Sequence, residues 1–271
     1  MRVAILGPIE VESAPVGGAR LRWLLVRLAL ATGRAVTVEE LTTALWPDDP
    51  PADPGNALQS LISRLRRCLP EATAVVSLPG GYRLDADTDA AEFDRLTAQA
   101  RREAGPAARA ALLRRALGLW RGTALGEVAA APFAAGYATR LEESRLSATE
   151  ERIAADLTLL TGPGPKDREP DGGAQDPPAD GDGGLVSELG PVSELGGLTA
   201  RHPLRERLHA LRIKALHAAG RRAEALAAFE ACRRRLADEL GADPGPEVRE
   251  AHLHALRTEP ARPARTNLRA P

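Results

Sequence analysis

Residues 56–69 read NALQSLISRLRRCL. On a wheel of about 100° per residue, Leu58, Leu61, Ile62, Leu65 and Leu69 cluster on one side, with Cys68 at the edge, and that row faces a core. The opposite side carries Asn56, Gln59, Ser60, Ser63, Arg64, Arg66 and Arg67, with Asn56, Ser60, Ser63 and Arg67 as its central stripe. The stretch contains no acid. A merely solvated helix usually mixes charge signs, because i,i+4 pairs stabilise it by ~0.2–0.5 kcal/mol each. A face of arginine, asparagine, glutamine and serine suits phosphate oxygens and base edges. Most charge runs are nevertheless solvated faces, so the flanking sequence has to decide.

Upstream, RVAILGPIEVE (2–12) is two short β-rich runs around the turn Gly7-Pro8. Gly17-Gly18 precedes an apolar helix, RLRWLLVRLALATG, closed by Gly33. Thr37 with Glu40 three residues on reads as a capping box opening a second helix. Trp46-Pro47 stops that helix, and DDPPADPG (48–55) reads as a loop that is neither helix nor central strand. Downstream, AVVSLPGGYRLD is two β-rich runs around Pro79-Gly80-Gly81, a hairpin. Strands, three helices and a hairpin within about 90 residues are the plan of a winged helix-turn-helix, and a helix so flanked is held as a major-groove reader requires.

From Ala90 the texture becomes almost pure helix: AEFDRLTAQARREA, ARAALLRRALGLW, and a long segment from Phe133 to Leu160, all with apolar residues at helical spacing. LRERLHALRIKALHAAGRRAEALAAFEACRRRLADELG reads as two helices joined at Gly220-Arg221, in the style of a tetratricopeptide unit. Residues 162–184 are rich in Gly, Pro and Asp, with no apolar residue larger than alanine, and are expected to be a disordered insert. VSELG then occurs twice, a duplication of which the fold needs one copy. The last residues, 259–271, are expected to be a flexible tail.

The composition is globular, with 44% hydrophobic and 27% charged residues, and the net charge of -1 confines any nucleic-acid footprint to a local site. Cys68 and Cys232 are far apart and lack metal-ligand spacing, so they read as small buried residues of a reducing compartment. The N-terminal apolar run is too short for a signal peptide, and no segment approaches the roughly 20 apolar residues of a membrane span. No GxxxxGK[ST] loop occurs, and the glycine pairs sit in turns. His202, His209, His217, His252 and His254 read as surface or interhelical residues, the last two being too poorly spaced on a helix to share a metal. No enzyme, no metal and no cofactor is expected, and the localisation is expected to be cytoplasmic.

At this point the chain resembles the Streptomyces antibiotic regulatory protein (SARP) family. ARLRWLLVRLAL (19–30), LTTALWPDDPP (41–51), NALQSLISRLRRCL and LPGGYRLD (78–85) are similar to its OmpR-type winged-helix domain. FDRL (93–96), ALGLWRGTALGEV (116–128), PFAAGYATRLEE (132–143), HPLRERL (202–208) and GRRAEALAAFEACRRRLADELGADPGPEVRE (220–250) are similar to its bacterial transcriptional activation domain. The fold implied is mainly α: a winged helix-turn-helix at 1–89, then an all-α tetratricopeptide-like domain at 90–258 interrupted by the insert. The function implied is a pathway-specific transcriptional activator of secondary-metabolite genes. Such a protein binds direct repeats near promoters as at least a dimer on DNA, associates with the nucleoid and recruits RNA polymerase.

Carried residue by residue, the resemblance makes Asn56, Gln59, Ser60 and Ser63 base-edge candidates. Arg64, Arg66 and Arg67 become phosphate or guanine candidates, and Tyr82 and Arg83 belong to the wing. Other roles stand beside these: Asn56 as a helix cap, Tyr82 as a hairpin core residue, and Arg66 as the partner of an internal acid. The family commonly has a bulky polar residue, often histidine, where this chain has Leu61. The loop with Asp48, Asp49 and Asp53 reads either as a surface for a protein such as polymerase or as a solvated turn. Two other functions remain open: a helical-repeat interaction scaffold, which the slight excess of acids over arginines in residues 1–90 favours, and a DNA-binding repressor.

Overall fold

The computed structural model describes residues 1–11, 16–31, 33–161 and 190–257. The insert at 162–184, the first VSELG copy as far as Leu189, and the tail at 259–271 lie outside them. The chain divides into two compact units, Met1–Thr149 and Glu150–Pro271.

The first unit opens with β1 (Arg2–Ala4) and β2 (Glu10–Val11), antiparallel with Val3 opposite Val11. Then follow α1 (Ala19–Ala29), β3 (Val36–Thr37), α2 (Val38–Leu45) and α3 (Pro54–Cys68). A 3-10 turn at Ala72–Ala74 leads into β4 (Val75–Leu78), β5 (Gly81–Leu84) and β6 (Asp87–Thr88). Two three-stranded sheets result, in the orders β2-β1-β6 and β3-β5-β4. The winged helix-turn-helix expected from the sequence is therefore present. α1 ends at Ala29, short of Gly33, and the parallel pairing of β1 with β6 carried no local signal. Leu24, Leu25 and Leu28 of α1, Leu41 and Leu45 of α2, and Leu58, Ile62 and Leu65 of α3 form one buried core.

The Thr37 capping box forms as read. The Thr37 hydroxyl accepts from the Glu40 amide at 3.1 Å, and the Glu40 carboxylate accepts from the Thr37 amide at 2.8 Å. The Thr37 amide, and after it the Thr37 hydroxyl, which also donates to the same carboxylate at 3.1 Å, hold the Glu40 carboxyl below its usual range against burial, with smaller help from Arg27 and Arg34.

The first unit continues into α4 (Asp89–Arg102), α5 (Pro106–Leu117), a 3-10 turn at Gly126–Val128 and α6 (Ala134–Thr161), whose residues from Glu150 count with the second unit. The junction is organised by Asp89, which is only 1% exposed. Its carboxylate accepts from the amides of Ile5 at 2.8 Å and Leu6 at 3.0 Å, and Arg121 lies 3.4 Å away. The carbonyls of the same two residues accept from Leu125 at 3.3 Å and Arg121 at 2.8 Å. Gly7 follows, and a Cβ there would press on Arg121 and Gly122 at about 3 Å. Phe93 and Trp120 pack edge-to-face beside this junction, with ring centroids 5.5 Å apart.

The second unit holds α7 (Gly190–Arg201), α8 (Glu206–Ala218), α9 (Arg222–Leu240) and α10 (Pro246–Arg257), with α8 packed against the other three. α8 and α9 are joined through Gly220 at φ 74, in the left-handed region that favours glycine. The second VSELG copy lies in α7 with Val192 and Leu195 buried. Glu150, 1% exposed, is held by the Arg205 guanidinium at 2.5 and 3.1 Å. His217 meets His254 edge-on at 5.1 Å, and His252 stacks on Phe229 at 3.8 Å, so these histidines are interhelical. Burial pushes the Cys232 thiol up to about 11, whereas Cys68 is only half-buried and both are free. Among the described residues no cluster of three metal-ligating side chains occurs, and no helix is long and apolar enough to cross a membrane.

Two predictions follow from this packing. Asp89→Ala leaves the Ile5 and Leu6 amides without an acceptor, at about 1–3 kcal/mol each. Its urea midpoint should fall accordingly, with Asp89→Asn, which keeps one oxygen, falling less. A midpoint equal to wild type would remove Asp89 from this role. Because the folded-state pKa of Glu40 is depressed, its contribution is present above the ordinary carboxylate range and is lost as pH falls through the folded value. Glu40→Gln should therefore flatten the acid limb of stability against pH, measured by denaturation from neutral pH downward.

Candidate nucleic-acid interface

α3 begins two residues earlier than its sequence suggests, which corrects the loop assigned through Gly55. Pro54 takes the first helical position, where its missing N–H costs nothing. Asp53 is the cap, and its carboxylate accepts from the Asn56 amide at 3.0 Å. The helix ends where Leu69 turns extended ahead of Pro70. Asn56 is thus inside the helix, and its side chain does not cap it.

Leu58, Leu61, Ile62, Leu65 and Leu69 are buried, as the helical wheel requires. Asn56, Gln59, Ser60, Ser63, Arg64 and Arg67 are exposed on the other side. Among the described residues, neither Arg64 nor Arg67 has a hydrogen-bonding or ion-pair partner. Arg66 stands apart. It is half-buried, and its Nε and Nη2 donate to the Val75 carbonyl at 3.0 and 2.6 Å, while Nη2 also donates to the Ser77 hydroxyl at 2.8 Å. The internal partner is a strand carbonyl and a serine, not an acid. Ser77 carried no signal beyond its place in the β-rich run.

The wing has a two-residue turn, Pro79-Gly80, with Leu78 opposite Gly81. Proline at the first central position and glycine at φ 80 at the second are what a type II turn needs. Gly81 belongs to β5, not to the turn as the sequence suggests. A Cβ at Gly81 would collide with the Val36 carbonyl, because β3 lies against β5 there. The Val38 amide donates to the Gly80 carbonyl at 3.0 Å, tying the wing turn to the start of α2. Tyr82 is half-buried, lies opposite Val36 and Ser77, and packs on the core. Arg83 grips Asp85 through two bonds of 2.6 and 2.8 Å. That pairing raises the Arg83 pKa and lowers the Asp85 one.

The loop before α3 is anchored by Arg20, whose guanidinium donates to the Leu45 carbonyl and lies 4.6 Å over the Trp23 ring. Asp48 and Asp49 are exposed, whereas Asp53 is engaged as the cap. The interface therefore combines an exposed acid-free helix face, a wing held from two sides, and two free carboxylates on the adjoining loop.

Two family models match the chain. The bacterial transcriptional activator domain matches residues 88–160 and 187–256, passing over the whole insert. The C-terminal domain of transcriptional regulatory proteins matches residues 18–84. The regulatory protein AfsR of Streptomyces griseus is 39% identical over 97% of this chain, which spans about a quarter (26%) of that relative's length. The regulatory protein DnrI of Streptomyces peucetius is 33% identical over 96% of this chain and 93% of its own. The structure of Mycobacterium tuberculosis EmbR in complex with a low-affinity phosphopeptide superposes with a TM-score of 0.79. It is 27% identical and covers 96% of this chain and 66% of its own.

Gly81→Ala should destabilise the wing by about 1–3 kcal/mol, the range for forced overpacking. Amide exchange in β4 and β5 should accelerate more than in α4. Unchanged exchange there would mean that β3 yields without cost.

Proposed function

The chain belongs to the Streptomyces antibiotic regulatory protein family of transcriptional regulators, and on that premise we propose that it is a sequence-specific DNA-binding activator of secondary-metabolite genes. α3 enters the major groove, and Asn56, Gln59, Ser60 and Ser63 meet base edges. Arg64 and Arg67 meet phosphate or guanine. The wing, with Tyr82 and Arg83, lies along the adjacent backbone. The observation that carries this reading is the exposed, acid-free stripe of Asn56, Ser60, Ser63 and Arg67 on a helix whose other side is fully committed to the core.

Residues 1–89 are the DNA-binding part and 90–258 the activation part. Direct repeats near promoters call for two copies on DNA. Asp48 and Asp49, which would repel phosphate, face RNA polymerase. The protein works without catalysis, in the cytoplasm at the nucleoid. Activation, not repression, follows from the matched activator domain.

Fluorescence anisotropy with DNA from upstream of the neighbouring genes, against scrambled DNA over a salt series, tests this. Sequence-selective binding with a steep salt slope is expected. Arg64→Ala should weaken binding and reduce the slope by about one, and Gln59→Ala should relax choice at one base pair by ~1–3 kcal/mol. Unchanged affinity in a folded Arg64→Ala, Arg67→Ala double variant, or no selective binding at all, would favour the interaction scaffold.

A further inference from the structure

Arg66 lies between Arg64 and Arg67 in sequence, yet its guanidinium is spent inside the molecule. Its principal acceptor has a specific character. In the sheet order β3-β5-β4, β4 is an edge strand. The Ala74 carbonyl accepts from the Asp85 amide at 2.8 Å and so points toward β5. Successive carbonyls alternate in direction along a strand, so the Val75 carbonyl points off the free edge. That is where Arg66 meets it, twice. Val75 is 1% exposed, so the group covered by Arg66 is a buried edge acceptor. The third bond goes to Ser77, directly opposite Tyr82 and two residues before the Pro79-Gly80 turn.

The chain between α3 and β4 is short, with Leu69, Pro70 and the 3-10 turn at Ala72–Ala74. Arg66 crosses that corner as a diagonal tie. The other face of the hairpin is fixed independently, by the Val38 amide on the Gly80 carbonyl and by the close approach of Gly81 to Val36. Of these ties, the Arg66 bonds are the ones that run from α3 itself to the wing.

We propose that Arg66 is a positioning residue for DNA recognition: it fixes the wing against α3 and makes no DNA contact of its own. The assignment rests on the DNA-binding reading above. Loss of the Arg66 side chain frees the wing from α3 while leaving the exposed stripe of α3 in place. The DNA backbone next to the α3 site then loses its protection, and the α3 site keeps it.

Hydroxyl-radical footprinting of the full chain, on the duplex that the wild-type protein selects from a randomised pool, reads this directly. Arg67→Ala, altered at the centre of the exposed stripe, marks the positions that depend on α3. Arg66→Ala should bind about tenfold more weakly and lose protection at the flanking positions only. Arg66→Lys, which restores one donor to Val75, should recover part of that protection. Ser77→Ala, which leaves both bonds to Val75, should show the same flanking loss in weaker form, and it stands in if Arg66→Ala melts below the assay temperature. Loss of the same positions as in Arg67→Ala would make Arg66 a direct contact and overturn the proposal. A wild-type footprint in both Arg66→Ala and Ser77→Ala would overturn it equally. A wild-type protein that selects no duplex would instead remove the DNA-binding reading on which the proposal stands.

Discussion

Two residues of backbone, Ile5 and Leu6, pass through the first unit fully buried and outside any strand ladder. Buried amides and carbonyls left without partners would each cost as much as a lost hydrogen bond. Every one of the four is satisfied here, and from opposite sources: the amides by the Asp89 carboxylate, the carbonyls by the amides of Arg121 and Leu125. β1 is thereby pinned to the first turn of α4 and to the segment after α5. The β1–β6 pairing, and with it the seating of the winged helix on α4, rests on that arrangement. Leu125 holds a left-handed conformation at φ 60, unusual for a leucine, and its amide is one of the two that complete the set.

The same economy governs the interface. The hairpin that forms the wing is short, and a two-stranded ribbon alone is marginal in water. It becomes a fixed part of the domain because β3 adds a third strand, the Gly80 carbonyl is taken by the start of α2, and the edge of β4 is covered by Arg66. Arg83 is turned toward Asp85, and Tyr82 toward the core. The charge left over for a polyanion is therefore concentrated on α3, at Arg64 and Arg67.

Local rules recovered the features that depend on local chemistry. The capping box at Thr37, the Pro79-Gly80 turn, the glycine link at Gly220 and the two faces of α3 all follow from spacing and residue type. What escaped depends on partners distant in sequence. Asp89 looks like any acid in the first turn of a helix, and its task is set by residues 83 and 84 positions away. Arg66 is set apart by its place at the buried edge of the wheel, but only the position of β4 makes its internal partner the Val75 carbonyl and not an acid. Pro54 and Gly55 resemble loop residues because the prolines of 47–54 mask the Asp53-Pro54 pair, which has the cap and first-position signature of a helix start. The exposed stripe was legible, and so was the inward turn of Arg66, whereas the strand carbonyl and serine that receive it were not.

Leu61 sits in the buried row of α3, where the resemblance implied a bulky polar residue. Its burial separates two kinds of inheritance. Substitutions at Asn56, Ser60, Ser63 and Arg67 touch nothing in the core, so under the proposed DNA-reading role target preference changes at little cost to folding. A histidine at 61 would have to be accompanied by compensating changes beneath it. Change is therefore tolerated on one side of this single helix and constrained on the other.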